Sequence, residues 1–363
     1  MKSQILRISS PEKQTQEIAK TLEVLKRGGV LCFPTDTVYG LAVNAHKEEA
    51  ALRVYQLKKR PKEKPLVLFP KNVKMLINLT KKIPPVALKL ISRFWPGPLT
   101  LIFEACINKP WCLISKEGKI GVRIPFHPVP LIISQENDIL LATTSANLSR
   151  EIAVTEAQKL SSIIKEGVDL IIDSGKTSIG KESTVIDVTA TSPHILREGS
   201  IHRDELKKIW EKPLSILFVC TANLCRSVMA EAIFKNLWKD KNLKKSKIKS
   251  AGLDVPFPAS PLKEVIVVME KRETKISSHL SAPVTSELIN ESDVIFVMEK
   301  MHQKQLLKLY PQAKNKIWLL KKFSCGKEEE IIGPVGTSLQ HYQETACEIE
   351  KELEKIMEKI SGK

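Results

Sequence analysis

The sequence predicts an α/β protein of two successive domains, the first built on a mixed sheet and the second on a doubly wound parallel sheet. Three observations carry this. Short apolar runs of strand length end in polar loops, and stretches with helical spacing of apolar residues lie between them. The pattern then restarts after the charged segment Ile201 to Pro213, which places a boundary near residue 212 and domains at 1–212 and 213–363. At 363 residues and roughly 150 per domain, two or three domains are expected. With 42% apolar and 27% charged residues, the chain is neither disordered nor fibrous.

In the first half, Glu17 to Arg27 reads as a helix closed by Gly28-Gly29, followed by a strand at Val30 to Phe33 that enters a loop at Pro34. Glu48 to Lys58 has helical spacing and stops before Pro61. Strand-like runs follow at Pro65 to Phe69, Leu99 to Phe103, Gly121 to Ile124, Ile139 to Thr143, Leu170 to Ile172 and Thr184 to Val188. In the second half, Leu214 to Val219 and Val294 to Met298 read as strands, and Ser227 to Trp238 and Gln340 to Ile360 as helices.

The chain carries 57 Lys and Arg against 41 Asp and Glu, a net +16 that favours an anionic partner such as a nucleotide, a phosphorylated substrate or RNA. Most of it belongs to residues 1–212, at +11. No secretory signal is visible at Met1 to Arg7, and the longest apolar runs fall far short of the roughly 20 residues that span a bilayer. No membrane association is expected. Seven cysteines, an odd number without paired metal-ligand spacing, argue against a disulfide framework or a zinc site and point to a reducing, cytoplasmic location.

The strand Leu214 to Val219 runs into Cys220-Thr221-Ala222-Asn223-Leu224-Cys225-Arg226-Ser227, where a helix begins. Amide N–H groups of such a loop converge on one spot and form a nest for a phosphate dianion. Cys220 at the entrance and Arg226 at the exit supply a nucleophile and a bidentate phosphate clamp. Residues 216–231, with Ser250-Ala251-Gly252 and Ser292 to Glu299 downstream, resemble the low-molecular-weight protein tyrosine phosphatases. The resemblance implies that Cys220 forms a phosphocysteine, Arg226 clamps the phosphate, Ser227 steadies the thiolate and Asn223 braces the loop. The family's general acid is an Asp in an Asp-Pro loop, where this chain reads Ile331-Ile332-Gly333-Pro334-Val335-Gly336. General acid catalysis contributes roughly 10²–10⁴-fold, so hydrolysis should be slow unless Glu328, Glu329 or Glu330 substitutes. An attenuated phosphatase and a phosphate-binding module that no longer turns over both remain open. Cys225 reads equally as a resolving thiol or as a small side chain packed under the loop.

The first half lacks G-x-x-x-x-G-K-[ST] and G-x-G-x-x-G. Its chemistry lies instead in small polar and basic clusters at Pro34 to Leu41, Lys58 to Leu66, Trp95 to Thr100, Arg123 to His127 and Thr144 to Asn147. In order and spacing, residues 15–205 resemble the YrdC-type threonylcarbamoyl-AMP synthases, which condense L-threonine, bicarbonate and ATP. That implies a YrdC-like fold, with a twisted sheet and a basic cavity. Lys58 and Arg60 match the family's K-x-R element and with Lys64 would face the ATP phosphates. Ser145 and Asn147 match its S-x-N element near the nucleotide, where Arg197 would also return. Thr35, Arg123 and Ser183 would surround threonine, with Arg123 on its carboxylate. Arg150 stands where a glycine is usual. His127 reads as a ligand contact or as a packed histidine between prolines.

The resemblance further implies Mg²⁺ arriving with ATP, and a downstream tRNA-modifying transferase that takes the product. Direct tRNA contact is compatible with the charge. The reading is therefore a bifunctional enzyme, and its rival a non-catalytic RNA-binding or phosphate-sensing regulatory protein.

Overall fold

A computed structural model describes residues 4–61, 63–106, 112–149, 151–240 and 246–361. It divides into two compact units, Met1–Lys81 with Phe94–Lys207, and Lys82–Arg93 with Lys208–Lys363. The division falls at Lys207 and Lys208, a few residues before the expected 212, and the segment Lys82–Arg93 stands with the second unit. There the Lys89 ammonium donates to the carbonyls of Trp210 and Lys212, and the Ser92 hydroxyl bonds Asp293.

The described residues of the first unit form strands β1 (Gln4–Arg7), β2 (Leu31–Phe33), β3 (Gly40–Asn44), β4 (Val67–Phe69), β5 (Leu99–Glu104), β6 (Lys119–Val122), β7 (Leu141–Ser145), β8 (Leu170–Asp173), β9 (Thr184–Asp187) and β10 (His194–Arg197). They join in one mixed sheet of order β1-β8-β2-β3-β7-β4-β6-β5-β9-β10. The apolar runs became strands with ends shifted by a residue or two, while β1, β3 and β10 are additions.

Helix Thr15–Lys26 buries Ile18, Thr21, Val24 and Leu25, one stripe at three- to four-residue spacing. That stripe packs with Leu31, Phe33, Leu141, Leu170 and Ile172 from the strands and with Val129 and Ile133 from the helix Pro128–Ile133. Each such apolar side chain contributes roughly 1.5–3 kcal/mol when fully buried.

Alternate strand residues line a cavity, Val67 and Phe69 on β4 and Thr100 and Ile102 on β5, with Gly121 on β6 and the end of β7 from Thr143 to Ser145. The period of two along β4 and β5 is what gathers their residues on one face.

In the second unit β11 (Leu214–Cys220), β12 (Ser246–Gly252), β13 (Val294–Val297) and β14 (Ile317–Leu319) pair in parallel in the order β12-β11-β13-β14. Central strands β11, from Ile216 on, and β13 are apolar and buried throughout because both faces are covered. Phe218 contacts Phe234 and Phe296, each with ring centroids 5.6 Å apart, and Trp318 meets Phe323 edge-on at 4.9 Å. The long helix Leu339–Ser361 buries Tyr342, Ala346, Ile349, Leu353, Ile356 and Ile360 along one stripe.

Candidate functional site

Two constructions stand out, one in each unit. In the first, the loop after β2 turns on Thr35. Its hydroxyl donates to the Val38 carbonyl at 2.7 Å and accepts from the Thr37 amide at 3.1 Å. This local bonding is how a threonine fixes a turn. The next residue, Asp36, is buried and pairs with the buried guanidinium of Arg123. Arg123 also donates from Nη1 to Thr37 Oγ1 at 3.0 Å and from Nε to the Gly97 carbonyl at 2.9 Å. Burial pulls its pKa down and Asp36 raises it.

Arg60 is held over the Tyr55 ring, 5.9 Å from its centroid. It donates to the Lys64 carbonyl at 2.8 Å, the Pro65 carbonyl at 2.9 Å and Thr144 Oγ1 at 3.1 Å. Across the cavity Arg197 donates to the Ser183 carbonyl at 2.9 Å and to Ser183 Oγ at 3.2 Å, and pairs with Glu182 at 3.0 Å. Ser183 Oγ in turn lies 3.0 Å from Thr100 Oγ1. Gly199 allows this approach, because a Cβ there would sit 2.2 Å from the Glu182 carbonyl oxygen.

Thr35, Arg60, Lys64, Arg123, Ser145, Ser183 and Arg197 all line one cavity of about 440 Å³. Arg60, Lys64 and Arg197 face Glu63 and Glu182 there, while Asp36 offsets Arg123, which still leaves the site net positive. Two expected residues stand elsewhere. The Lys58 side chain is buried beside the cavity, and its ammonium donates to the carbonyls of Ser145 and Asn147. It therefore supports the strand-end loop, and burial, with Arg60 adding to it, pushes it down to about 8. Asn147 is likewise buried, and its amide donates to the Glu151 carbonyl at 2.6 Å.

His127 caps the helix Pro128–Ile133 by accepting from the Val129 amide, and burial lowers it to about 4. Arg150 lies outside the described residues. Asp36 and Thr37, quoted in the Pro34 to Leu41 cluster without a role, turn out to be the partners of Arg123. Their adjacency to Thr35 is the only signal in the sequence.

The second construction is the loop between β11 and the helix Arg226–Asp240. Asn223, at φ +55°, takes the left-handed conformation that asparagine tolerates better than most residues. Its amide donates to Ser227 Oγ at 2.9 Å and to Ser250 Oγ at 2.8 Å, and Ser250 donates onward to Glu231 at 2.5 Å. Ser227 Oγ lies 3.0 Å from the Cys220 sulfur, placed to donate to it when the sulfur is a thiolate.

The Arg226 guanidinium binds Glu299 and donates to the Ile331 carbonyl at 2.7 Å. Thr221 Oγ1 lies 2.9 Å from His302 Nε2. Burial, with Arg226 adding to it, pushes His302 down to about 4, so the ring is neutral at pH 7. Cys225 is buried and pushed up to about 12, chiefly by burial, as befits a side chain packed under the loop. Glu328, Glu329 and Glu330 are engaged with Lys322, with Lys321 and Lys327, and with the Lys300 amide respectively.

Among the described residues no group of three or more His, Cys, Asp or Glu side chains is placed to hold a metal ion, and no helix is long and apolar enough to cross a membrane.

Comparisons with known proteins divide the chain in the same way. The Sua5/YciO/YrdC family model, described as telomere recombination, matches residues 23–199, and the low molecular weight phosphotyrosine protein phosphatase model matches residues 215–363. A Pyrococcus abyssi protein named threonylcarbamoyl-AMP synthase is 37% identical over 51% of this chain and 54% of its own length. A Coxiella burnetii protein of the same name is 30% identical over 44% of this chain and 86% of its own. The chain thus spans about half the length of several curated relatives it matches. A crystal structure of P. abyssi Sua5 complexed with L-threonine superposes with a TM-score of 0.53 at 23% identity, covering 87% of this chain and 99% of that one, a likeness of fold.

Proposed function

The chain belongs to the Sua5/YciO/YrdC family through its N-terminal domain, and from that premise we propose that this domain is an L-threonylcarbamoyladenylate synthase. It would condense L-threonine, bicarbonate and ATP into threonylcarbamoyl-AMP and pyrophosphate, the adenylate serving a transferase that modifies tRNA. The observation that carries this reading is the meeting of Thr35, Arg60, Ser145 and Arg197 in one cavity of about 440 Å³. That volume suits a small-molecule site.

The threonine carboxylate is assigned to the Arg123 side, with Thr35 and Ser183 alongside. ATP is assigned to Arg60, Lys64, Ser145 and Arg197, while Lys58 and Asn147 hold the loop beneath it. The threonine amine attacks carbon dioxide or activated bicarbonate, and the carbamate oxygen then attacks the α-phosphorus. Both partners are anionic, so fixed cations that offset their repulsion and hold them in line can supply most of the rate. Magnesium enters as part of the MgATP substrate. The carboxylates at the cavity form no cage for it, and Glu182 is already paired with Arg197 at 3.0 Å.

The C-terminal domain is read as a cysteine-dependent phosphoryl-transfer site in which Cys220 attacks phosphorus and Arg226 clamps the phosphate. Its loop geometry, with Ser227 directed at the Cys220 sulfur, supports this role.

The test is threonine- and bicarbonate-dependent pyrophosphate release by the full chain. Arg60→Ala or Ser145→Ala should lower it at least about a hundredfold, the scale of losing an interaction made to charge developing in the transition state. Unchanged rates in both variants would refute the site. Salt-sensitive tRNA binding without any threonine binding would point instead to a non-catalytic RNA-binding protein.

A further inference from the structure

The groups around Cys220 restrict which phosphorylated compounds its site can turn over. Ser227 Oγ lies 3.0 Å from the sulfur, which as a thiolate takes its proton, and Asn223 spends both amide protons on serine oxygens. Glu299 is bound to the Arg226 guanidinium. His302 accepts from the Glu299 amide through Nδ1 at 3.1 Å and is neutral, leaving Nε2 to face Thr221. The segment 331–336 is pinned to the site, because the Ile331 carbonyl accepts from Arg226 and its amide donates to the Met298 carbonyl. What it presents there is Gly333, where an added Cβ would lie 3.1 Å from Arg226 Cζ and Nη2. Its other side chains are Ile332, Pro334 and Val335, none of which carries a proton to give. The three glutamates before it are engaged with lysine side chains or a backbone amide.

We infer that this site takes phosphoryl donors whose leaving group departs as an anion without being protonated, namely acyl phosphates and aryl phosphates of acidic phenols. The inference rests on the reading of Cys220 as the nucleophile. In the first step the Cys220 thiolate forms a sulfur–phosphorus bond as the phosphorus–oxygen bond to the leaving group breaks, and that oxygen leaves with the electron pair. In the second step water attacks phosphorus, the sulfur–phosphorus bond breaks, the thiolate returns and the water proton passes to solvent. The same lack of a placed acid or base slows water attack, so phosphocysteine accumulates during turnover.

One carboxyl group needs its own control. Asp254 is exposed, and its backbone amide donates to the Thr221 carbonyl at 2.9 Å.

The experiment measures phosphate release by the full chain from acetyl phosphate, para-nitrophenyl phosphate and phenyl phosphate, with acid-quenched protein analysed for phosphate on Cys220. Wild type, Cys220→Ser and Asp254→Asn are compared. We expect kcat/KM to fall at least about a hundredfold from the nitrophenyl to the phenyl ester, matching the loss of a general acid. We expect the same steepness in Asp254→Asn, and label on Cys220 in wild type. A fall of less than about tenfold, or steepness that appears only in Asp254→Asn, would show a working proton donor and overturn the inference. If wild type and Cys220→Ser release phosphate equally from every ester, the nucleophile reading itself fails.

Discussion

Asp36 neutralises Arg123: Oδ1 of the carboxylate meets Nη2 of the guanidinium, with the side chains only 1% and 6% exposed. The cation expected to meet a substrate carboxylate therefore arrives with its own counterion, and Asp36 Oδ2 has no hydrogen-bond partner. A buried pair of this kind is costly to break, because the surviving charge is left uncompensated. Asp36→Ala should destabilise the N-terminal domain by about 3–5 kcal/mol. Denaturant titration of the purified variant checks this. A loss below about 1 kcal/mol, the scale of an exposed pair, would mean that water reaches the site and that the two charges are not mutually dependent.

Lys58 gives a pH-dependent prediction. Its folded pKa of about 8 lies below the ordinary 10.5, so between those values the unfolded chain binds more protons than the folded one. Stability from this group then rises with pH across that window and is lowest below pH 8, where the buried ammonium is fully charged. The full effect is on the order of 3 kcal/mol. Subtracting the curve of Lys58→Met isolates it, since other titrating groups cancel. The stability difference between wild type and variant should grow in favour of wild type from pH 8 to pH 10.5. A flat difference would place the ammonium in contact with solvent.

Both features explain where sequence reading stopped. Arg123 and Asp36 are far apart in the chain, and nothing in their spacing marks them as a pair. Lys58 sits in a run of cations that reads as solvated or phosphate-facing, whereas its acceptors are backbone carbonyls, which have no sequence signature. Strands β5, β8, β9, β11 and β13 were legible because buried strands concentrate β-branched and large apolar residues. By contrast β3 starts at Gly40 directly out of a polar loop and is buried throughout, so it shows no alternation. β1 is largely exposed, and its partner β8 lies far downstream. The Cys220 loop was legible almost whole, since its parts are contiguous. Its outer partners Glu299 and His302 sit at the cap and in the first turn of the helix Lys300–Leu309 that follows β13, and their contacts with Arg226 and Thr221 come only from the fold.

Gly199 is a point where backbone, not side chain, shapes the cavity. A Cβ there would lie 2.2 Å from the Glu182 carbonyl oxygen and 2.6 Å from that of Ser183, both rigid neighbours. The Ser183 carbonyl is also the acceptor of Arg197. Gly199→Ala should push β9 and β10 apart, cost about 1–3 kcal/mol and raise the KM for threonine or ATP. Thermal unfolding together with pyrophosphate-release kinetics measures both. Wild-type KM values in a destabilised variant would separate the packing of Gly199 from the geometry of Ser183 and Arg197.

Ser227 should act on Cys220 through the direction of its proton. Asn223 donates to Ser227 Oγ on one branch and to Ser250 Oγ on the other, where Ser250 passes its proton to Glu231; on the first branch Ser227 Oγ lies 3.0 Å from the Cys220 sulfur, which as a thiolate can only accept its proton. A hydrogen bond to an ionised group contributes roughly 1.5–3 kcal/mol, or about ten- to a hundredfold in rate if it is lost at the attacking thiolate. Ser227→Ala should therefore lower Cys220-dependent hydrolysis of para-nitrophenyl phosphate by that factor. Asn223→Asp keeps the side-chain shape but removes both donors, so Ser227 becomes free to turn its proton toward the new carboxylate. That variant should lose activity to a similar extent, and the double variant should lose little more than either alone. Additive losses would mean that the two residues act on the sulfur independently and that the bond from Asn223 to Ser227 is not what steadies it.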